Sequence, residues 1–385
     1  MMNIEKLIRK KSRSSKRTQQ HQPILLMSRI RLARNLEGYA FPGWADVDQR
    51  LVVYDRCRTV IESLPQFNPS IHFSIEALDS MERQLLVERH LISKELSEGN
   101  SGSGVTINDS QLISIMINEE DHLRIQVMNP DLAFNKLWEQ SDAIDNELEK
   151  HLDYAFREDF GYLTACPTNL GTAMRASAML HLPALVMTKQ IEKVVRAVNQ
   201  LGIVARGIFG ESSDPSGSVF QISNQQTLGE SEAEIFGRLR NVVKTIIEQE
   251  SNARIRLFEQ EASQVIDRIN RAFGILRYAN VLSSSESMNL LSMLRLASDI
   301  GILPSETRAT VDTLMMDIQP SHLQYEYGGK LDPVRRDLLR AEKIRKQIGS
   351  LPDPEPKNLD FSAIQIHKKD DTSNNQDAGN EEDLA

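Results

Sequence analysis

The chain has 385 residues, of which 40% are apolar and 5% aromatic, and its formal net charge is −9. This length allows two or three domains with real hydrophobic cores. The only two cysteines, Cys57 and Cys166, exclude a disulfide framework, and no apolar run reaches the roughly 18 residues of a membrane span. Because the N-terminus also lacks the apolar segment of a secretory signal, we expect a cytoplasmic protein without membrane contact.

The charge is concentrated at the two ends of the chain. Residues 1–22 contain seven Lys or Arg residues and one Glu, whereas residues 351–385 contain nine acidic residues and three lysines. A basic segment of this kind can contact nucleic acid, but a solvated leader is its commoner role, and we expect no direct nucleic-acid contact. We predict a flexible basic leader over residues 1–22 and a disordered acidic tail over residues 351–385.

Between these ends, hydrophobic periodicity predicts strands and helices in alternation. Arg and Ile alternate at residues 28–31, which predicts a strand with two guanidiniums on one face. His90 lies on the apolar stripe of a predicted helix, where it fits either a core or a functional role. The predicted helices cover residues 48–63, 79–96, 131–157 and 188–201, and the predicted strands cover residues 111–117, 123–128, 203–209 and 218–223.

Two loops between these elements contain several Gly and Ser residues. Residues 97–104 superficially resemble a phosphate-binding loop, but no Gly-Lys-Ser/Thr follows them, which excludes a Walker A motif. We predict a mobile surface loop there. Residues 210–217 carry Glu211 between two predicted strands, and this loop is predicted to act as a lid.

From residue 231 the pattern becomes helical. Ser231 with Glu234, and Ser283 with Glu286, have the spacing of a capping box at the start of a helix. We predict an all-helical domain over residues 255–350.

Three consecutive acidic residues occupy the short connection between the predicted strands at 111–117 and 123–128. Such dense like charge requires a cation nearby, and Arg124 follows Glu119 and Glu120 on the second strand. A solvated turn is the alternative.

A polar stretch from Cys166 to Thr172 precedes Arg175. Its Thr, Asn and Gly residues compete with regular structure and do not fill a core. If Cys166 lies near a helix N-terminus, that position favours its thiolate; a structural cysteine fits as well.

Five arginines lie at predicted strand ends or at a helix start: Arg29, Arg31, Arg124, Arg175 and Arg206. Arginine binds phosphate through planar, bidentate contacts and keeps its charge. Converging arginines repel one another unless a polyanion such as ATP lies between them, and such a cage can neutralise a transferred phosphoryl group. The acidic residues then require a cationic acceptor. A guanidinium fits, because carboxylates can orient it and accept its proton.

Four motifs, in this order, resemble the ATP:guanido phosphotransferase (phosphagen kinase) family. They are Ser28-Arg29-Ile30-Arg31, Asn118 to Arg124, Cys166 to Thr172 with Arg175-Ala176-Ser177, and Arg206-Gly207 with Gly210-Glu211. The resemblance covers residues 23–254. It implies an α+β fold, in which a catalytic domain with an antiparallel sheet flanked by helices precedes the all-helical domain.

The resemblance also implies roles for individual residues. Glu120, Cys166 and Glu211 are implied to be catalytic and to handle the guanidinium. ATP is implied as the phosphoryl donor, with Mg2+ carried on its phosphates rather than held by a metal site of the protein. The residues implied to bind the nucleotide are Ser28, Arg29, Ile30, Arg31, His90, Arg124, Arg175, Ala176, Ser177, Ala178, Met179, Arg206, Gly207, Ile208, Phe209, Gly210 and Glu211.

Within the family, the chain resembles the bacterial protein arginine kinase branch. Only 27 residues precede Ser28, whereas small-substrate members have a helical domain there that helps to enclose the acceptor. The acceptor site is therefore expected to be open to a side chain of a protein. A motif in the helical domain also fits that branch's phosphoarginine-binding pocket, although without the resemblance it would indicate a solvated salt-bridge face. This motif consists of Arg336, Asp337, Arg340 and Ala341.

We therefore expect a protein arginine kinase that acts on protein substrates. The alternatives are a small-molecule guanidino kinase and an inactive phosphoarginine-binding adaptor. The branch further implies allosteric control, a stress response through a heat-shock repressor, a zinc-binding activator protein, a Clp-type ATPase and protease that degrade marked proteins, and a homodimer or larger assembly. Met27 and Ala173 depart from the family pattern, from which we expect altered nucleotide affinity but an active site.

Overall fold

The computed structural model describes residues 2–9, 23–207, 216–356 and 359–362. The strands in these ranges are β1 (Leu25–Arg34), β2 (Ser70–Ser74), β3 (Gly104–Asn108), β4 (Ile113–Ile117), β5 (Leu123–Asn129), β6 (Phe156–Arg157), β7 (Gly161–Tyr162), β8 (Met174–His181), β9 (Ile203–Gly207) and β10 (Val219–Asn224). The helices are α1 (Met2–Arg9), α2 (Val47–Ser63), α3 (Ser80–Glu88), α4 (Lys94–Ser97), α5 (Phe134–Glu149), α6 (Pro183–Met187), α7 (Ile191–Gln200), α8 (Glu232–Tyr278), α9 (Ser284–Asp299), α10 (Thr307–Asp317), α11 (Pro320–Glu326) and α12 (Pro333–Ile348).

Within the described ranges, eight strands form one antiparallel sheet in the order β2-β3-β4-β5-β1-β8-β10-β9, and β6 and β7 form a separate ribbon. The central strand β1 pairs with β5 on one side and β8 on the other. Because side chains alternate along a strand, each strand contributes to two different surfaces. The sheet therefore separates two apolar clusters.

The larger cluster covers the face that carries Ile30, Ile125 and Ala176, and it continues into α5, α8 and α9. The smaller cluster lies on the opposite face, where Met27, Met128 and Met179 pack with residues of α1, α3 and α4. That second face also carries the polar residues described below.

The helical part of the chain is built on α8. A full capping box joins Ser231 and Glu234 at its start, as predicted, and the backbone leaves helical geometry once, at Glu261. Ser283 accepts from the Glu286 amide at the start of α9. The predicted boundary between residues 254 and 255 falls inside α8. Buried residues of α8 on both sides of this boundary belong to the larger apolar cluster.

Both ends of the chain contain ordered parts. The predicted flexible leader is helical over residues 2–9, where Ile4 and Leu7 are buried. At the other end Phe361 packs edge-on against Phe258, and Asp353 pairs with Arg277. The order at residues 351–356 and 359–362 was not predicted from the acidic composition.

Several predicted elements differ from the observed ones. The predicted helix 79–96 is interrupted between α3 and α4, and the predicted helix 131–157 is limited to α5. Strands β2, β3, β6, β7 and β8 were not predicted. None of the helices in the described ranges is long and apolar enough to cross a membrane.

Candidate active site

The register of the sheet brings all five predicted arginines to one face. Arg31 lies directly opposite Gln126 on β5 and Arg175 on β8. Directly opposed residues share a face, and so do residues two apart on one strand. Arg29 therefore lies on the same face as Arg31, and Arg124 on the same face as Gln126.

The fifth arginine reaches this face through the edge strand. Arg206 on β9 lies opposite Gln221 on β10, which in turn lies opposite Met179 on β8. We call the surface formed by Arg29, Arg31, Arg124, Arg175 and Arg206 the arginine face.

The guanidiniums of the arginine face repel one another. Burial, and then the charges of Arg124 and Arg175, lower the pKa of Arg29 to about 10. Burial, and then the charges of Arg29, Arg124 and Arg175, also hold the pKa of Arg31 well below its usual range. Burial followed by Arg206 and Arg124 lowers the pKa of Arg175. Each proton is therefore held less tightly than on an isolated arginine.

The contacts of Arg29 do not offset this repulsion. Its Nη2 donates to Gln221 Oε1 at 2.9 Å and its Nη1 to Gln126 Oε1 at 3.5 Å, and both acceptors are neutral amides. Among the residues that the structure describes, the buried Nε atoms of Arg29 and Arg31 have no hydrogen-bond partner. Since buried donors are normally paired, these atoms fit a site for a polyanion such as the triphosphate of ATP.

The three acidic residues between β4 and β5 have different surroundings. Glu119 is buried and pairs with Arg124, yet burial raises its pKa to about 6 against the effect of that arginine. Glu120 is 42% exposed, with its Oε2 at 3.6 Å from Arg124 Nη2. Asp121 is buried and accepts from Asn35 Nδ2 at 2.6 Å. The alternative of a uniformly solvated turn is wrong, because only Glu120 presents its carboxylate to solvent beside an arginine.

Asp121 also fixes the position of the cysteine. Its Oδ1 accepts from the backbone amide of Ala165 at 2.7 Å, one residue before Cys166. Cys166 is half-buried, and its Sγ lies 3.0 Å from Thr168 Oγ1. Glu120 lies beside the arginine face through its contact with Arg124, and Asp121 holds the segment of Cys166 against the same turn.

The segment after Cys166 does not begin a helix as expected. It forms one 3-10 turn, Pro167–Asn169, and the chain then enters β8. Gly171 has a φ of +96°, and a Cβ there would collide with the carbonyl oxygen of Thr227. The backbones of Gly171 and Thr227 approach so closely that only glycine fits at this position. A helix-dipole effect on the thiol is therefore not supported.

His90 lies at the edge of the arginine face. It follows α3 with a φ of +59°, and its carbonyl accepts from Gln126 Nε2 at 2.8 Å. Burial and the charge of Arg29 lower the pKa of His90 to about 4, so the imidazole is neutral near pH 7. His90 lies beside the arginines, and its role in nucleotide binding stays a prediction.

Some residues predicted to bind the nucleotide point away from the arginine face. Ile30, Ala176 and Ala178 are fully buried in the larger apolar cluster on the other side of the sheet. Ser28 also belongs to that side, and its Oγ donates to the Asn129 carbonyl. The reason is alternation, since a continuous run on a strand cannot present every side chain to one face.

The remaining members of these runs stay predictions. Ser177 and Met179 alternate with the alanines and lie on the arginine face. Gly207 ends β9. The predicted residues Ile208, Phe209, Gly210 and Glu211, and most of the predicted lid, lie outside the described residues.

The predicted phosphoarginine-binding motif lies at the start of α12. Arg340 is buried, and it donates to the carbonyls of Ile318 at 3.1 Å and Leu282 at 2.9 Å as well as to Asp337. Ala341 is buried in the core. Only Arg336 and Asp337 are partly exposed. Arg340 therefore holds helix ends together, and its Nε and Nη1 are not free for a ligand.

Two glutamines of the site were not predicted. Gln126 and Gln221 hold Arg29 from two different strands. The position of Gln126, two residues after Arg124 on a strand, indicates a shared face and could have identified it. Nothing local indicates Gln221, because its place depends on the register of β8, β9 and β10.

Two known families match most of this chain. The family described as ATP:guanido phosphotransferase, C-terminal catalytic domain, matches residues 53–253, and the protein-arginine kinase McsB C-terminal domain matches residues 262–359. The chain is 45% identical over 326 residues to a protein-arginine kinase of Halothermothrix orenii, covering 84% of this chain and 93% of that protein. It is 44% identical over 327 residues to the one of Brevibacillus brevis, covering 84% and 92%.

Solved structures of phosphagen kinases have a similar fold. A lombricine kinase crystal structure is 25% identical with a TM-score of 0.52, covering 62% of this chain and 69% of that chain. The duplicated taurocyamine kinase from Schistosoma mansoni with bound transition state analog components is 25% identical with a TM-score of 0.54, covering 61% and 33%. The resemblance and the fold class expected from the sequence are confirmed.

Proposed function

The chain belongs to the ATP:guanido phosphotransferase family, and on that premise we propose that it is a protein-arginine kinase. It transfers the γ-phosphoryl group of ATP to the guanidinium of arginine side chains in proteins. Relatives that carry this name match the chain over both its sheet and its helical part. The match to the helical part favours a protein acceptor over a small guanidino compound.

The observation that carries the proposal is the unsatisfied charge of the arginine face. Arg29 and Arg31 are half-buried and repel each other, and their buried Nε atoms have no hydrogen-bond partner among the residues that the structure describes. A triphosphate supplies acceptors for these donors and removes the repulsion. Because the donors are fixed on paired strands, they need little reorganisation when charge develops on the transferred group.

The acceptor guanidinium is assigned to the rim formed by Glu120 and Cys166. Glu120 is exposed beside Arg124, so its carboxylate can bind the incoming guanidinium and accept the proton that its nitrogen loses. The deprotonated nitrogen attacks the γ-phosphorus, the bond to the bridging oxygen breaks, and ADP leaves. Cys166 aligns the guanidinium electrostatically, and Glu211 is assigned a second carboxylate role there. The product has a P–N bond, and a cation has become an anion.

We assign nucleotide binding to those predicted residues whose side chains lie on the arginine face, together with His90. Mg2+ would travel on the phosphates and neutralise part of their charge. Arg336 and Asp337 are the parts of the phosphoarginine motif that a ligand can reach.

The finer biological role follows the branch that the chain resembles. It comprises a cytoplasmic location, allosteric control, a homodimer or larger assembly, a zinc-binding activator, marking for Clp-type degradation, and stress regulation through a heat-shock repressor.

The proposal is tested by incubating the protein with γ-labelled ATP and either a loosely folded protein or free arginine. We expect protein-bound label that is lost in acid and retained in base. Glu120→Gln should lower the labelling rate by about a hundredfold, because the variant cannot take up the proton. Glu192→Gln, which changes an exposed carboxylate on α7, should leave the rate unchanged.

Two outcomes would contradict the proposal. Label confined to free arginine would indicate a small-molecule kinase. Binding of phosphoarginine without label on either acceptor would indicate an inactive adaptor.

A further inference from the structure

The end of α3 joins three parts of the molecule that are remote in sequence. Arg89 donates through Nη1 to the Leu7 carbonyl at 3.2 Å and to Gln111 Oε1 at 3.0 Å, and through Nη2 to the Ile8 carbonyl at 3.3 Å. Its Nε donates to His322 Nε2 at 3.2 Å. One guanidinium therefore contacts α1, the β3–β4 turn and α11. Three of these four acceptors are uncharged carbonyl or amide oxygens.

The neighbouring Glu88 fixes α11 in the same place. Its Oε1 accepts from the Ser321 amide at 2.9 Å, and its Oε2 accepts from His322 Nδ1 at 2.8 Å. Both side chains of the Glu88–His322 pair are at least nine-tenths buried. Glu88 thus caps the first turn of α11, and the ring of His322 is clamped between Glu88 and Arg89.

On the other side, α1 is held by packing and by its C-terminal carbonyls. Ile4 and Leu7 are buried in the smaller apolar cluster. The Leu7 carbonyl accepts from both Arg89 and Gln111 Nε2, the latter at 2.8 Å. A cation at this end of α1 also interacts favourably with the helix dipole.

His90, the residue after Arg89, lies at the edge of the arginine face. His90 has left-handed backbone geometry, which an ordinary residue adopts only when its surroundings impose it. Its carbonyl accepts from Gln126, and Gln126 accepts in turn from Arg29. The path from Arg89 to a buried nucleotide-site arginine is therefore one peptide bond and two hydrogen bonds long.

We propose that Arg89 is a positioning residue for nucleotide binding, which uses α1 and α11 as fixed points to hold His90 and Gln126 against Arg29. This inference rests on the proposed function, because the ligand of the arginine face is taken to be ATP. It makes the N-terminal helix and the helical domain contributors to ATP affinity without any contact to ATP.

The same helix provides a matched control. Arg83 is also half-buried on α3, but it donates to the carbonyls of Leu78, Ser97 and Gly99, which are all local to α3 and α4. Replacing Arg83 removes a comparable set of hydrogen bonds and leaves α1 and α11 attached. A merely structural role for Arg89 would give the two replacements the same kinetic effect.

The test compares Arg89→Met and Arg83→Met in the full chain by steady-state labelling of a protein substrate. For Arg89→Met we expect the KM for ATP to rise roughly five- to tenfold, as for the loss of one ordered hydrogen-bonding group, while kcat stays near that of the wild type. Arg89→Lys should recover part of the affinity, because it restores one donor. Arg83→Met should lower thermal stability with an unchanged KM for ATP.

A second variant covers the case in which Arg89→Met does not fold. Leu7→Ala weakens the apolar packing of α1 and leaves the side chain of Arg89 unchanged. We expect a roughly two- to threefold higher KM for ATP. Equal KM values for the wild type and the folded variants would overturn the inference while leaving the proposed function intact. Failure of the wild type itself to bind ATP would instead overturn the proposed function.

Discussion

Two sets of arginines in this molecule have opposite electrostatic surroundings. On the arginine face, Arg29 and Arg31 are half-buried beside other arginines, and their pKa values are lowered by burial and by that repulsion. At the junction of the sheet and the helical part, Arg254 and Arg295 are fully buried. Their partners there are carboxylates.

The junction arginines form a paired network. Arg254 Nε lies 2.7 Å from Glu250 Oε1 and its Nη1 lies 3.0 Å from Asp299 Oδ2, while Arg295 Nε lies 2.7 Å from Asp312 Oδ1. Although burial lowers it, the pKa of Arg295 is raised overall by Asp312 and Asp299. The charges are therefore balanced inside the folded chain.

This difference separates a structural use of arginine from a functional one. A paired buried arginine resists replacement because its partners would be left as uncompensated charges. An arginine held beside other arginines destabilises the free protein and becomes favourable only when an anion binds. The sign of the neighbouring charge distinguishes the two uses.

The largest expected effect is on catalysis at the arginine face. Arg29→Met should lower kcat/KM for protein phosphorylation by about a thousandfold, because a preorganised donor for the phosphoryl group is lost. The rate is measured with labelled ATP under the same conditions for both proteins. A loss below about tenfold would mean that Arg29 does not contact the transferred group.

The matching change at the junction should affect stability instead. Arg254→Met leaves Glu250 and Asp299 buried with one cation fewer, which should cost about 3–5 kcal/mol of unfolding free energy. Denaturant titration of the full chain checks this value, and kcat/KM per folded molecule should remain unchanged. A large loss of activity without a loss of stability would reverse the roles assigned to the two sets.

A smaller effect concerns pH on the arginine face. His90 has a pKa of about 4 in the folded protein, against 6.5 for an unperturbed histidine. Between these values the unfolded chain binds a proton that the folded chain does not, so stability falls as pH decreases through this window. From about pH 7.5 to pH 5, His90→Asn should lose about 2 kcal/mol less stability than the wild type. Parallel unfolding curves at the two pH values make the comparison, and equal losses would show that His90 is not shifted.

The smallest expected effect is on backbone strain beside the site. Ala173 has a φ of +49° immediately before β8. Ala173→Gly should stabilise the protein by about 0.5–1 kcal/mol, because glycine adopts this geometry without steric cost. Thermal unfolding measures the change, and destabilisation would show that the alanine methyl packs favourably enough to outweigh the strain.

The local part of this site could be predicted from the sequence. Alternation at residues 28–31 predicted that Arg29 and Arg31 share a face, and the acidic run predicted a cation partner, which is Arg124. The alternation of side chains along β1 also explains why Ile30 does not lie on the same face as Arg29 and Arg31, although all four residues of the motif were predicted to bind the nucleotide.

The remaining features depend on contacts between distant residues. The pairing of β1 with β8 sets Arg175 opposite Arg31, and the sequence near Cys166 contains no information about that register. The hydrogen bonds of Arg340 to two distant helix ends likewise cannot be read from a helical motif.

The leader illustrates a different limit. Ile4, Leu7 and Ile8 have helical spacing, but the high positive charge of residues 1–22 favoured a solvated segment. The packing surface for α1 is formed by residues far along the chain, so its docking could not be predicted locally.

The most direct test of the account is the thermal unfolding temperature of the wild type and Arg29→Met, each with and without inorganic triphosphate. We predict that triphosphate raises the unfolding temperature of the wild type, and that Arg29→Met without ligand unfolds at or above the wild-type temperature but gains little from triphosphate. Unfolding of Arg29→Met well below the wild type, with an undiminished gain from triphosphate, would contradict the view that the arginine face is an unsatisfied polyphosphate site.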